Sequence, residues 1–394
     1  QEHQHFLDWL LARIAETEAD VLLICGDVFD VANPSAQAQR QVYRFLRKAT
    51  EKNPGLQIIM IAGNHDSATR LETPVPLLED RHTHVRGVIN RNTEGNIRYE
   101  ELIVELKNRR GEREGWCLTV PYLRQGDYPA MPDDEHPYRA GVKQMYANLL
   151  EIIQQRRNPK EAVIALGHLQ ATGSRLSEDD TSERLIIGGL EGIPGDIFSR
   201  EITYTALGHI HREQQVDKRK EVHYAGSPLP MSFAEEHYEH GVIYLETKEG
   251  KITHFQKLVH TPLAKLLRIP ATPRPLEEVL EELAQLPDGF PDEHAPYLEV
   301  RILLTAPEPA LRSRVEEALQ GKHVRLTRVL PFYPETTTVN LTTIPSLSTE
   351  ELMNPRKIIH LTYAGKYGVE MPAELERLFD EITEEALRKI EEKS

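Results

Sequence analysis

The chain has 394 residues, 39% of them hydrophobic and 28% charged, with a formal net charge of −15. That length accommodates two or three compact units with a substantial core, and the composition excludes a disordered or fibrous chain. The acidity excludes a broad basic face as the grip on nucleic acid, since sequence-independent duplex affinity comes mainly from Lys and Arg displacing counterions; a DNA substrate would need divalent metal, a local basic patch or a partner protein. In chain order, Phe6, Leu7, Leu10, Leu11 and Ile14 recur at helical spacing, and the continuous apolar run Val21-Leu22-Leu23-Ile24-Cys25 predicts a short buried strand stopped by Gly26. Asn33-Pro34-Ser35 starts a second helix carrying Val42, Phe45 and Leu46, and residues 56–62 predict a second buried strand ending at Gly63. The mixed-sign run 109–114 reads as a hairpin tip. Strands are expected over residues 116–120, 162–166 and 204–207, with a helix around 144–155, an alternation that predicts a layered α/β domain with central sheets over residues 1–262.

After Thr261-Pro262 the pattern becomes strand, helix (275–286), strand (297–304), helix (308–319), strand (324–329), a small separate α/β domain over residues 263–341. Residues 342–394 predict helices, the last with an apolar stripe of Leu375, Leu378, Phe379, Ile382 and Leu387 that needs a partner surface. No apolar run approaches the roughly 20 residues of a membrane span. The first residues lack the basic and apolar regions of an export signal. Cys25 and Cys117, one in a core strand and one beside Trp116, read as reduced buried thiols. A cytoplasmic protein is expected.

Four polar signatures each follow a buried strand: Gly26-Asp27-Val28-Phe29-Asp30, Gly63-Asn64-His65-Asp66, Gly167-His168 and Gly208-His209-Ile210-His211. In an α/β domain the loops leaving the carboxyl ends of strands converge on one edge, where ligands bind. The residue types suit divalent transition metals: a carboxylate from Asp27 that can bridge two ions, the amide oxygen of Asn64, and imidazoles from His168, His209 and His211. An extended backbone would point His209 and His211 to one face. Two ions about 3.5–4 Å apart stabilise the attacking and leaving oxygens of an in-line displacement at phosphorus. His65 is the expected proton donor to the leaving group, with Asp66 orienting its ring. Taken singly, a Gly-Asp after a strand is usually a turn and a Gly-His a satisfied loop histidine; the joint occurrence in this order carries the reading. Asp30 is expected to fix its loop, Ser227 to serve a turn or phosphate contact, and His82, His84, His136, His223, His237, His240, His254 and His260 to be surface or packing residues.

These motifs resemble those of the calcineurin-like metallophosphoesterase superfamily, and Tyr224-Ala225-Gly226-Ser227-Pro228, with the motif spacing and the small domain that follows, resembles its SbcD nuclease branch over essentially the whole chain. The resemblance implies a four-layer fold, a two-sheet β-sandwich flanked by helices, with a small α/β capping domain and C-terminal helices. It implies that Asp27 bridges two divalent ions, most simply Mn2+, that His211 belongs to the first site, that Asn64, His168 and His209 belong to the second, and that His65 with Asp66 is the catalytic pair. It also implies DNA as substrate (ends, hairpins and single strands), a capping domain that positions it, terminal helices docked on an SbcC-type coiled-coil ATPase in DNA repair and recombination, and a homodimer within a heterotetramer. The family's opening strand, with an Asp-x-His signature that completes the first site, does not precede the first helix. His3 and His5 lie in that helix about 200° apart around its axis, poor geometry for shared ligation. Two explanations stand open, an upstream stretch outside this sequence or a truncated form with a crippled first site; the former is preferred, because loss of the strand would expose core. The chain as given is expected to bind the second metal well and the first poorly. Alternatives to the nuclease reading are a small-substrate phosphodiesterase or phosphatase and a noncatalytic scaffold for an ATPase.

Overall fold

The computed structural model describes residues 1–78, 82–172 and 192–334, and beyond these residues 356, 359, 360, 363, 371, 372 and 375–379. The chain forms two compact units, Gln1–Leu266 and Leu267–Ser394. In the first, helix α1 (Glu2–Glu16) leads into strand β1 (Val21–Cys25), helix α2 (Ala36–Lys52) and strand β2 (Gln57–Ile61), and short helices α3 (Ala68–Glu72) and α4 (Val75–Leu78) lead into β3 (Thr83–Arg86). Ser35 caps α2, its Oγ accepting the Ala38 N–H at 3.2 Å. These strands form a parallel sheet in the order β1-β2-β3.

A second, six-stranded sheet is built from β4 (Ile103–Lys107), β5 (Arg113–Thr119), β6 (Ala162–His168), β7 (Tyr204–Gly208), β8 (Gln214–Val216) and β9 (Arg219–Tyr224), in the order β4-β5-β6-β7-β9-β8, and helix α5 (Pro137–Gln154) lies between β5 and β6 in sequence. Strands β5, β6, β7 and β9 run parallel. An antiparallel pair, β10 (Gly241–Lys248) and β11 (Lys251–Val259), follows.

Side-chain alternation stacks the layers. On β2, which is buried along its whole length, Ile58 and Met60 pack with Phe6, Leu10, Phe45 and Leu46 of α1 and α2, whereas Ile59 and Ile61 point the other way, against Cys117, Ile164, Leu166 and Tyr204 of the larger sheet. On β5, Trp116 and Leu118 turn away from that interface to meet Val142, Met145, Tyr146 and Leu149 of α5. The result is helices, sheet, sheet, helix: the four-layer α/β sandwich that the resemblance implied. Because both sheets face inward, β1, β2, β6 and the buried second half of β5 read as largely apolar runs, which is what made them visible in the sequence.

The second unit runs β12 (Leu266–Pro275), α6 (Leu276–Ala284), β13 (Tyr297–Leu303), α7 (Leu311–Ala318) and β14 (Arg325–Phe332), in the expected strand–helix alternation. Its sheet has the order β12-β13-β14, and Leu298, Val300 and Ile302 of the central strand pack on Val279, Leu283 and Val315 of the helices. Of the predicted C-terminal stripe, Leu375 and Leu378 are exposed and lie in a helical stretch, while Ile382 and Leu387 lie outside the described residues. Among the described residues no helix is long and apolar enough to cross a membrane.

Strands β3, β4 and β8–β11 were not foreseen; most are short or heavily polar, and β11 is largely exposed along its length. The 108–111 turn does join β4 to β5 as a hairpin. His3 and His5 lie in α1, but His5 is not simply solvated: its Nδ1 is 3.1 Å from Nε2 of the buried His260, whose ring also meets Phe6 and Trp9. Burial, with His5 and His240 nearby, pulls His260 down to about 4.

In the unfolded chain the same imidazole titrates near 6.5, so below that pH the unfolded state binds a proton the folded state refuses, and stability falls as pH drops from about 6.5 toward about 4. Thermal melts of the metal-free chain between about pH 7.5 and 5 should show this decline, and His260→Phe should make it shallower without removing it, since His209 is also depressed to about 4; an unchanged decline in the variant would remove His260 as a cause.

Candidate metal centre

Strand β1 ends at Cys25, and the chain turns through Gly26 (φ +90°) and Asp27 (φ +49°); β7 ends at Gly208, and His209 follows at φ +99°. Asp27 and His209 thus occupy backbone regions that non-glycine residues avoid, the kind of strain that folds retain at functional sites. Close approach explains two of the glycines. A Cβ on Gly63 would fall on the Asp27 carboxylate, and one on Gly208 would fall on the Cys25 carbonyl and within 2.9 Å of His168 Nδ1.

The crowding brings one ligand atom each from Asp27, His168 and His209 to within 4.8 Å of one another. Asn64 Oδ1 stands 2.8 Å from His168 Nε2 and 3.1 Å from His209 Nδ1, and His168 Nε2 is 3.2 Å from Asp27 Oδ2. His168 Nδ1 is 2.7 Å from the Cys25 carbonyl, so it carries the proton and a neutral ring presents a lone pair at Nε2. Amide oxygen, carboxylate and imidazole lone pairs therefore face one another across a few ångströms, an arrangement a cation relieves. His168 and His209 are buried.

His65 comes from the same turn as Asn64. Its backbone N–H donates to Asp27 Oδ1 at 3.0 Å, and its Nδ1 lies 2.9 Å from the Asp30 carbonyl, with Asp30 Oδ1 at 3.6 Å. Asp66 does not orient that ring, contrary to the sequence reading. Its buried carboxylate accepts backbone N–H groups instead, from Val28 at 3.1 Å, Phe29 at 3.0 Å and Gly63 at 2.9 Å, and so ties the two turns together. Asp30 takes the orienting place.

His211 stands apart from the Asp27–His168–His209 group. The left-handed backbone at His209 breaks the extended geometry expected to aim both imidazoles at one face. His211 Nδ1 lies 2.9 Å from Oε1 of Glu235, a fully buried carboxylate. Oε2 of Glu235 accepts Ser227 Oγ–H and Met231 N–H, each at 3.1 Å, and His240 Nδ1 lies 3.0 Å from the Ser227 carbonyl. Ser227 and His240 thus belong to a buried polar network beside His211, and Glu235 is a residue that sequence reasoning missed.

Known families and proteins match this sequence. The calcineurin-like phosphoesterase family model matches residues 2–213, and a model described as the type 5 capsule protein repressor C-terminal domain, the SbcD C-terminal family, matches residues 262–364. The SbcD component of nuclease SbcCD from Rhodobacter capsulatus is 34% identical over 345 residues, 85% of this chain and 83% of that protein. The chain belongs to the SbcD family of calcineurin-like phosphoesterases. The corresponding component of the Escherichia coli K12 nuclease is 29% identical over 67% of this chain, and that of Bacillus subtilis 25% identical over 66%; those two alignments span 65% and 64% of the relatives' own lengths. The family is one of divalent-metal enzymes, and the residues of this member fit that requirement.

Electrostatics in this SbcD-family site point the same way. Burial pushes Asp27 up, but its close contacts with His168 and the His65 N–H outweigh it and hold the carboxyl at about 2. His209 is pulled down to about 4, by burial first and by neighbouring His168 second. At neutral pH the group offers an anionic carboxylate and an uncharged imidazole, the forms that ligate metal. Asp66 is shifted upward, burial outweighing its three N–H donors.

Glu235→Ala would leave the donors of His211, Ser227 and Met231 facing a void. The expected loss is at least about 1–3 kcal/mol in urea unfolding, with Glu235→Gln losing less; a variant as stable as the parent would show the network to be incidental.

Proposed function

We propose that this SbcD-family phosphoesterase is a metal-dependent DNA nuclease that hydrolyses phosphodiester bonds at ends, hairpins and single strands. The observation that carries the reading is the meeting of Asp27, Asn64, His168 and His209 in a chain whose relatives are named as components of nuclease SbcCD. The chain would work with an SbcC-type coiled-coil ATPase, as a homodimer within a heterotetramer, as the family resemblance implies. Residues 263–341 would serve as a cap over DNA and residues 342–394 as the docking segment. A role in DNA repair and recombination follows from that partnership.

Two divalent ions, with Mn2+ the first choice, would be held by Asp27, Asn64, His168 and His209 at one position and by Asp27 with His211 at the other, supplying Lewis-acid stabilisation of the phosphoryl oxygens and an acidified water. The chain's own groups do the rest. His65 donates its Nδ1–H to the Asp30 carbonyl, which leaves Nε2 as the nitrogen that would hand a proton to the departing sugar oxygen. The His65 N–H on Asp27 Oδ1 ties the proton donor to the ligand carboxylate. Glu235 accepts the His211 Nδ1–H, which would make Nε2 the ligand nitrogen.

Hairpin DNA with manganese should be cut, and Asp27→Ala should abolish cutting, while His65→Ala slows it about 10²–10⁴-fold. Hydrolysis confined to small phosphodiesters would replace the nuclease reading with a small-substrate phosphodiesterase. ATPase binding with no cleavage of any substrate would leave a scaffold.

Calorimetric titration of the metal-free chain should register one tight Mn2+ position, lost in His168→Ala, because four ligands meet at one place and His211 stands apart. Two equal tight positions, or binding that survives His168→Ala, would contradict the ligand assignment.

A further inference from the structure

Several arginines of the first unit are committed to carboxylates, as Arg113 is to Glu105 and Glu161, Arg156 to Glu100 and Arg157 to Glu201. Two exposed ones beside the metal centre are not: among the described residues no carboxylate pairs with Arg124 or Arg212. Each lies over a tyrosine ring instead. The Arg124 guanidinium carbon is 5.3 Å from the Tyr122 centroid, and that of Arg212 is 5.6 Å from the Tyr238 centroid.

Both pairs are built into the site. Tyr122 meets the His168 ring edge-to-face at 6.2 Å, and its N–H donates at 2.9 Å to the carbonyl of Ala62, one residue before Gly63. The one acid in the Arg124 turn, Asp127, spends its carboxylate on the Arg124 backbone N–H at 2.8 Å, which leaves the guanidinium unneutralised. Arg212 directly follows His211. Surface arginines over aromatic rings are common, occurring about once per 70–80 residues. The other such pairs in this unit, Arg13 on Trp9 and Arg113 on Trp116, have their guanidinium groups tied to Glu16 and Glu161. Among the described residues of this unit, only the two stacked arginines that border the metal residues keep the charge open.

We propose that Arg124 and Arg212 grip the phosphodiester backbone of the nucleic acid as it passes the metal centre, one contact beside His168 and one beside His211. The assignment rests on the nuclease reading and says where an acidic chain finds its local grip. A guanidinium laid on an aromatic face is held in place while its N–H edge stays available, and that edge matches two oxygens of a phosphate. Stacking therefore lowers the ordering cost of the contact.

The test is binding of a fluorescent single-stranded oligonucleotide by anisotropy, with calcium in place of manganese, across a salt series. Each phosphate contact on a single strand contributes about 0.7 to the slope of log affinity against log salt. Arg124→Ala and Arg212→Ala should each lower the slope by about 0.7 and the double variant by about 1.4, while Arg124→Lys, which keeps the charge, should retain it. Arg110→Ala, which removes the same charge at the 108–111 turn beyond the other end of β5, should match the parent. A double variant with the parent's slope overturns the assignment and leaves the nuclease reading intact. A parent chain with no salt-dependent oligonucleotide binding overturns the nuclease reading itself, and the assignment with it.

Discussion

The hydrogen bond between His168 Nδ1 and the Cys25 carbonyl has two effects at once. It spans the sandwich, joining the end of β6 in one sheet to the end of β1 in the other, at 2.7 Å. It also decides the tautomer. An imidazole that has spent its proton on a carbonyl can offer only a lone pair from its other nitrogen, and Asn64 and Asp27 wait there with lone pairs of their own. The contact that closes the two layers therefore creates the demand for positive charge between them.

Around that bond the chain has little freedom. Side chains on Gly63 or Gly208 would collide with Asp27 or with Cys25, and Asp27 and His209 hold strained backbone angles. Such strain persists only where surrounding structure over-determines it, and the fully buried β2, gripped by helices on one face and by the larger sheet on the other, supplies that rigidity.

What could be read in the sequence follows from how each residue is used. Strands buried on both faces announce themselves as unbroken apolar runs, so Val21–Cys25 was placed to the residue and 56–62 to within one at each end. Strands such as β9, which opens Arg219-Lys220-Glu221, and the exposed β11 carry no such mark, because partners in the sheet and not apolar burial hold them. Asp27, Asn64, His168 and His209 were legible because each closes a buried strand, and topology brings those ends together. Glu235 was not: it sits in a single 3-10 turn, inside a polar stretch running to His240, and only the third dimension shows that its neighbours exclude water. The role of Asp66 was misassigned for a related reason. Adjacency to His65 suggested a ring contact, whereas its carboxylate turns toward backbone amides.

That turn of Asp66 has a mechanical meaning. One carboxylate clasps the start of its own loop at Gly63 and the loop of Asp27 at Val28 and Phe29. The segment bearing His65 and the segment bearing Asp27 thus share a single hinge pin. A tug on either is transmitted to the other, so the spacing between His65 and Asp27 survives thermal jostling that would blur it if each loop swung by itself.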